Sequence, residues 1–255
     1  MPSWDPELYL RHADHRARPF RELLARVPLT PARVTDLGCG PGNSTAAAAA
    51  HWPQARITGI DNSPDMIAAA RRDHPGLDFR LGDLLDYDPR QDRPDAIVSN
   101  AAFQWVAGHE HRFPDWIAAL PSGGVLAFQI PDNFDQPAHT LLAQLRQSPR
   151  WKATLGHVDR PAVPTPADYL QQLTDLGCAV DVWETTYHQI LTAEDAVVDW
   201  MRGTGLRPAL DALPDDQARA DFLADYRALT AQAYPAHPWG TVLPYHRVFV
   251  VAVKK

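Results

Sequence analysis

The sequence predicts an α/β fold, a mostly parallel sheet with helices on both faces, and three observations lead there. Short apolar runs recur along the first half of the chain: Val34 to Leu37, Arg56 to Asp61, Phe79 to Asp83, Ala96 to Asn100 and Val125 to Ile130. The first runs into Gly38 and the next three end in Asp61, Asp83 and Asn100, as strands do when their carboxyl ends line a ligand crevice. The stretches between them read as helices, among them the alanine run Ala46 to Ala50 and Met66-Ile-Ala-Ala-Ala-Arg-Arg72. Alternation of strand and helix at this spacing favours parallel pairing. Two further strands, Val180 to Trp183 and Arg247 to Val253, bring the sheet to seven.

In chain order, a helical arm over Asp5 to Val27 comes first. Val34-Thr-Asp-Leu-Gly-Cys-Gly-Pro-Gly-Asn-Ser-Thr45 then reads as a buried strand running into a glycine turn that opens a helix. Gly38, Gly40 and Gly42 allow positive φ and close approach of a ligand, and Asn43 to Thr45 offer capping groups for the helix. The pattern is D-x-G-x-G-x-G, not the G-x-G-x-x-G that seats a pyrophosphate on a helix N-terminus. Asp36 would repel a phosphate there and would suit a ligand carrying an ammonium or sulfonium charge.

A second acid, Asp61, ends the next strand about 20 residues beyond the glycines, the offset that suits a ribose diol. Ser63, Pro64 and Asp65 follow as N-cap, first helical position and an acid favourable to the helix dipole. A third acid, Asp83, ends the third strand, placed to accept from an exocyclic amino group such as that of adenine. The fourth strand releases Ala101-Ala-Phe-Gln-Trp-Val106 at the same edge, so these residues are expected to converge on one crevice.

Composition bounds the rest. With 255 residues and 45% hydrophobic content the chain can bury the core of one large domain, or of one domain carrying an insertion. The net charge of −7 argues against a nucleic-acid substrate, which wants a basic face. No apolar run approaches the roughly 20 residues needed to span a bilayer, and the start lacks the regions of a secretory signal, so a cytoplasmic location is expected. Cys39 and Cys178 read as small reduced packing residues. The eleven histidines show no compact ligand spacing, and no metal site is expected. Arg160-Pro-Ala-Val-Pro-Thr-Pro166 reads as a surface connection.

On the glycine turn and the three acids, the chain resembles the class I S-adenosylmethionine-dependent methyltransferases. That resemblance implies a Rossmann-like fold, S-adenosylmethionine as the cofactor, and a last strand antiparallel between the fifth and sixth. It implies cofactor contacts at Asp36, Gly38, Gly40, Gly42, Asp61, Asn62, Met66, Asp83, Asn100 and Trp105. Outlying segments are similar to those members that esterify a carboxylate of trans-aconitate, a small tricarboxylic acid. They are Trp4 to Leu10, Arg18-Pro19, Pro131-Asp-Asn133, Asp199-Trp200, Thr204-Gly-Leu-Arg-Pro208 and Arg247 to Ala252.

The organisation expected is one methyltransferase domain over 1–255. It comprises an arm over 1–28, a cofactor-binding core over 34–134 and a helical insertion or lid over 188–245. Arg18, Arg207 and Arg247 are the candidate cations for a carboxylate substrate, because the guanidinium fork matches a carboxylate. Tyr9, Asn133, Trp200 and Tyr245 lie in or beside the same segments, although large aromatics such as Trp105, Trp116, Trp183 and Trp200 commonly serve the core. No general base is expected, since a carboxylate with a pKa of about 4 is already ionised at neutral pH. Two alternatives stand beside this reading: methylation of another small or carrier-bound carboxylic acid, and non-catalytic binding of S-adenosylmethionine. A dinucleotide-dependent oxidoreductase is disfavoured by Asp36 and by the glycine spacing.

Overall fold

The computed structural model describes residues 13–158 and 162–255; Trp4 to Leu10, with Tyr9, the first part of the arm, and Arg160 lie outside the described residues. Contacts divide the chain into two compact units. Among the described residues, the larger holds 13–131, 162–185 and 247–255, and the smaller holds 132–158 and 186–246.

The larger unit is a sheet with flanking helices. Its strands are β1 (Arg33–Leu37), β2 (Arg56–Asp61), β3 (Asp78–Leu81), β4 (Ala96–Asn100), β5 (Val125–Pro131), the first part of β6 (Cys178–Leu191) and the last part of β8 (Gly240–Lys254). The order is β3-β2-β1-β4-β5-β8-β6. All neighbours from β3 to β5 pair in parallel, while β5 runs antiparallel to β8 from Val125 opposite Val253 to Pro131 opposite Arg247. The expected α/β class with a mostly parallel sheet is therefore the observed one. Sequence order reverses between β1 and β4, which opens a crevice outside their carboxyl ends.

Local chemistry starts the helices. In Pro64–Asp73, Ser63 Oγ accepts the amide of Met66 at 3.3 Å, and Pro64 occupies a first-turn position where its missing N–H costs nothing. Pro166–Asp175 opens on a capping box: the Thr165 amide donates to Asp168 Oδ2 at 2.8 Å, and the Asp168 amide returns to Thr165 Oγ1 at 3.2 Å. That helix then delivers Tyr169 and Leu173, both fully buried, to the core.

The core on this side is aromatic. Phe103, Phe113, Trp116, Phe128 and Tyr169 are buried together, with Phe128 5.1 Å from Phe103 and 5.0 Å from Tyr169 between ring centroids. His109 is enclosed among them, stacked on Phe103, its Nδ1 at 2.8 Å from the Val106 carbonyl and its Nε2 at 2.8 Å from the Tyr169 hydroxyl. Burial holds its pKa below the ordinary histidine value.

The smaller unit is helical, with Pro137–Arg146, Lys152–Leu155, Ala196–Arg202, Arg207–Ala212 and Asp216–Ala233, and with β7 (Ala236–His237) forming a hairpin with Gly240 and Thr241. Its core gathers Leu142, Trp151, Trp200, Leu206, Phe222 and Tyr226. Both backbone groups of Ala138 are tied to the long helix and its end: the carbonyl accepts from Tyr226 Oη at 2.8 Å, and the amide donates to Tyr234 Oη at 2.9 Å. β6 and β8 outrun the predicted Val180 to Trp183 and Arg247 to Val253. Among the described residues, no helix is long and apolar enough to cross a membrane.

Candidate functional site

The crevice is built on the end of β1. Gly38, Gly40 and Gly42 all take positive φ, at +73°, +54° and +90°. Gly38 carries a second constraint, because a Cβ there would stand 2.2 Å from the Cβ of Ala102, in the loop after β4. The glycine turn and the β4 loop thus meet at the point where the strand order reverses.

Asp36 is fully buried beneath the turn. Ser44 Oγ and Thr45 Oγ1 both donate to its Oδ2 at 2.7 Å, while Oδ1 is buried with no hydrogen-bond partner. Burial raises the Asp36 pKa to about 6, against the two hydroxyls, which lower it. This corrects one sequence expectation: the helix Asn43–His51 has Gly42 as N-cap with no side-chain cap, because Ser44 and Thr45 serve the acid instead. Cys39, within the turn, packs with Ile67, Ala70 and Phe79, and burial pushes its thiol pKa up, as befits an inert packing residue.

Asp61 closes the turn from β2. Its Oδ2 accepts the Gly40 amide at 2.9 Å and its Oδ1 the Ser63 amide at 2.9 Å, so one carboxylate ties the glycine turn to the start of the next helix. Each oxygen keeps a further lone pair, enough for a diol. Burial raises its pKa from the ordinary carboxylate value. Asp83 is the N-cap of a short 3₁₀ turn, Leu84–Asp86, accepting the Leu85 amide at 2.9 Å on Oδ1 and Asn62 Nδ2 at 3.1 Å on Oδ2. Asn62 and Asp83 are thereby brought together. Met66, in the first turn of Pro64–Asp73, is buried.

At the end of β4, Asn100 Oδ1 accepts from Gln129 Nε2, and Gln129 Oε1 accepts from Arg247 Nη1 at 2.7 Å. Gln129 and Arg247 are 0% and 3% exposed. Ala101 follows Asn100 at φ +56°, unusual for a residue with a Cβ, and its amide donates to the Gln129 carbonyl at 2.9 Å. Trp105 is half-buried in the 3₁₀ turn Phe103–Trp105.

The remaining candidates are spread more widely. Arg18 is exposed and ion-paired with Glu22 at 2.8 Å along its helix. In the smaller unit, Trp200 and Tyr245 are buried edge to face at 5.1 Å, Arg207 pairs with Asp211 at 3.3 Å, and Asn133 is buried with Oδ1 lacking a hydrogen-bond partner. Sequence reasoning missed Gln129. A glutamine inside an apolar strand gives one weak signal, its polarity where the strand should be buried on both faces.

The chain is similar to known proteins in ways that meet this geometry. Residues 34–124 match a family model described as a methyltransferase domain. Among solved structures, the YcgJ protein from Bacillus subtilis superposes with a TM-score of 0.58 at 14% identity, covering 94% of this chain and 99% of that one. Phosphoethanolamine N-methyltransferase 2 of Haemonchus contortus, solved with phosphomonomethylethanolamine and S-adenosylhomocysteine, gives 0.55 at 17%, covering 93% and 52%. At these identities the likeness shows the fold.

Sequence relatives run the full length. The trans-aconitate 2-methyltransferase of Streptomyces avermitilis is 56% identical, covering 100% of this chain and 98% of the relative. That of Streptomyces coelicolor is 54% identical, covering 99% and 87%. The chain belongs to the trans-aconitate 2-methyltransferase family.

Proposed function

We propose that the protein transfers the methyl group of S-adenosylmethionine to a carboxylate of trans-aconitate, giving the monomethyl ester and S-adenosylhomocysteine. The observation that carries the reading is the identity of 56% with a trans-aconitate 2-methyltransferase over the entire chain, which takes in the helical unit as well as the nucleoside-binding sheet.

The residues of the crevice fit the cofactor. A buried carboxylate oxygen without a partner, Asp36 Oδ1, supplies negative charge beneath the turn, and a repelled phosphate leaves a cation-bearing nucleoside as the better match. Asp61 would hold the ribose diol with its spare lone pairs, and Asp83 would accept from the adenine amino group. Asn62, Met66, Asn100 and Trp105 would frame the base and sugar. When bound, S-adenosylmethionine supplies a methyl group on a positively charged sulfur.

The substrate oxygen needs no proton removed, so the protein's task is to place it in line with that methyl group and keep water out. We assign Arg207 to a carboxylate that does not react. An ion pair to the attacking oxygen would stabilise the ground state more than a transition state in which charge is vanishing, so the reacting carboxylate should meet neutral donors. Asn133, with its unpartnered Oδ1, Trp200 and Tyr245 are the polar and aromatic candidates from the smaller unit. We place the reaction in a reducing compartment, the cytoplasm, in keeping with two buried, free cysteines.

The test is a panel of acids offered with S-adenosylmethionine and read by mass spectrometry. Trans-aconitate should gain one methyl with a far higher kcat/KM than citrate or a long-chain fatty acid. Turnover of the fatty acid in preference would overturn the assignment.

A further inference from the structure

We infer that Gln129 is a positioning residue of the cofactor site, which sets the orientation of the Asn100 amide by relaying it from the buried guanidinium of Arg247. The inference rests on the cofactor reading above and concerns residues of the larger unit alone.

The argument is one of donors and acceptors. Arginine has donors only, so a glutamine amide held against Arg247 Nη1 at 2.7 Å must turn its oxygen towards it. The Gln129 NH₂ group then faces Asn100, and a donor there can be satisfied only by Asn100 Oδ1, the contact observed. With Oδ1 committed to Gln129, Asn100 presents Nδ2 on its other side. Two successive amides, each able to sit either way round in isolation, are locked in series by one charge.

The same residue fixes the backbone. Gln129 accepts the Ala101 amide on its carbonyl at 2.9 Å, holding the positive-φ residue that turns the chain out of β4. Gln104 Nε2 adds a bond to the Ala101 carbonyl at 2.5 Å. Gln129 is fully buried in β5, so it acts on a ligand only through Asn100 and Ala101. Asn100 is half-buried, at the edge where the crevice opens. A ligand group meeting Asn100 is thus read as a hydrogen-bond acceptor, as a sugar oxygen or a ring nitrogen of a nucleoside is.

The experiment is a double-mutant cycle on S-adenosylmethionine affinity, measured by isothermal titration calorimetry on the full chain. Gln129→Leu and Asn100→Ala should each weaken binding about five- to tenfold, and the double variant should be no weaker than the worse single one, since the two act in series. Gln129→Glu keeps an acceptor for Arg247 and removes only the donor to Asn100, so it should lose affinity to a similar degree while unfolding at the wild-type temperature. This variant carries the test if Gln129→Leu does not fold. Wild-type affinity in Gln129→Glu, or losses that multiply in the double variant, would overturn the inference. Absence of binding by the unmodified protein would instead sink the cofactor reading itself.

Discussion

The Ser44 hydroxyl donates to Asp36 Oδ2 at 2.7 Å, from the helix that the glycine turn opens back to the strand that precedes it. The bond, doubled by Thr45, supports a carboxylate in a fully buried place, yet burial still prevails and lifts its pKa from 3.8 to about 6. Because the folded-state value is the higher one, folding penalises the ionised acid: the penalty is complete above about pH 6, fades between 6 and 3.8, and is absent below. Asp36→Asn should therefore be more stable than the wild type at pH 8, by up to about 3 kcal/mol, with the gain shrinking towards pH 4. Urea midpoints at a series of pH values check this, and a pH-independent difference would contradict it. The same acid should cost S-adenosylmethionine affinity when neutral, so binding should weaken as pH falls through 6.

Gly38 offers a steric test. Alanine there would force positive φ on a residue with a Cβ and drive that carbon to 2.2 Å from Ala102. Strain alone costs on the order of 1–2 kcal/mol, and displacement of the Ala101–Ala102 loop should abolish cofactor binding. Gly76→Ala, where a Cβ meets nothing within 4 Å, should be neutral in thermal melts and binding. Equal behaviour of the two variants would rule out the close approach as the reason for glycine.

Asp61 is predicted to matter for affinity more than for stability. Asp61→Asn keeps one acceptor for the amides of Gly40 and Ser63 but sets an NH₂ group against the other, and it removes lone pairs meant for a diol. S-adenosylmethionine affinity should fall at least about tenfold, as expected for a hydrogen-bonded charged group, with a melting temperature lowered by only a few degrees. Unchanged affinity by calorimetry would remove Asp61 from the site.

Arg207→Ala should raise the KM for trans-aconitate by about ten- to a hundredfold, the range for a charge-assisted hydrogen-bonded pair, and lower kcat much less. That split follows if the guanidinium binds a carboxylate that does not react, because its contact is then the same in ground and transition states. A fall in kcat with KM unchanged would place Arg207 at the reacting group instead.

Much of the sheet unit was legible because its signals are local. A glycine turn after an apolar strand, a strand-ending acid and a Ser-Pro helix start each announce themselves within a few residues, and β1 to β5 follow from them. The long strands were harder. From Trp183 to Leu191, β6 alternates exposed positions with half-buried and then buried ones, and it carries Glu184, Thr185, Thr186 and His188, so its apolar signal is thin and only Val180 to Trp183 stands out in the sequence. Long-range polar pairs left no trace in spacing. His109 meets Tyr169 from 60 positions away, and Gln129 meets Arg247 from 118. The direction in which Ser44 and Thr45 point was likewise misread, since hydroxyls at a helix start cap it unless a buried acid claims them.

The claim at the centre is that this crevice seats S-adenosylmethionine so that its methyl group passes to a carboxylate oxygen. Incubation of the protein with trans-aconitate and S-adenosylmethionine carrying a carbon-13 methyl, followed by NMR of the small-molecule fraction, tests it most directly. The account predicts that the label appears as the methyl of an ester, one per trans-aconitate consumed, with S-adenosylhomocysteine formed in equal amount. A label that stays on S-adenosylmethionine in the presence of protein that binds it would contradict the account.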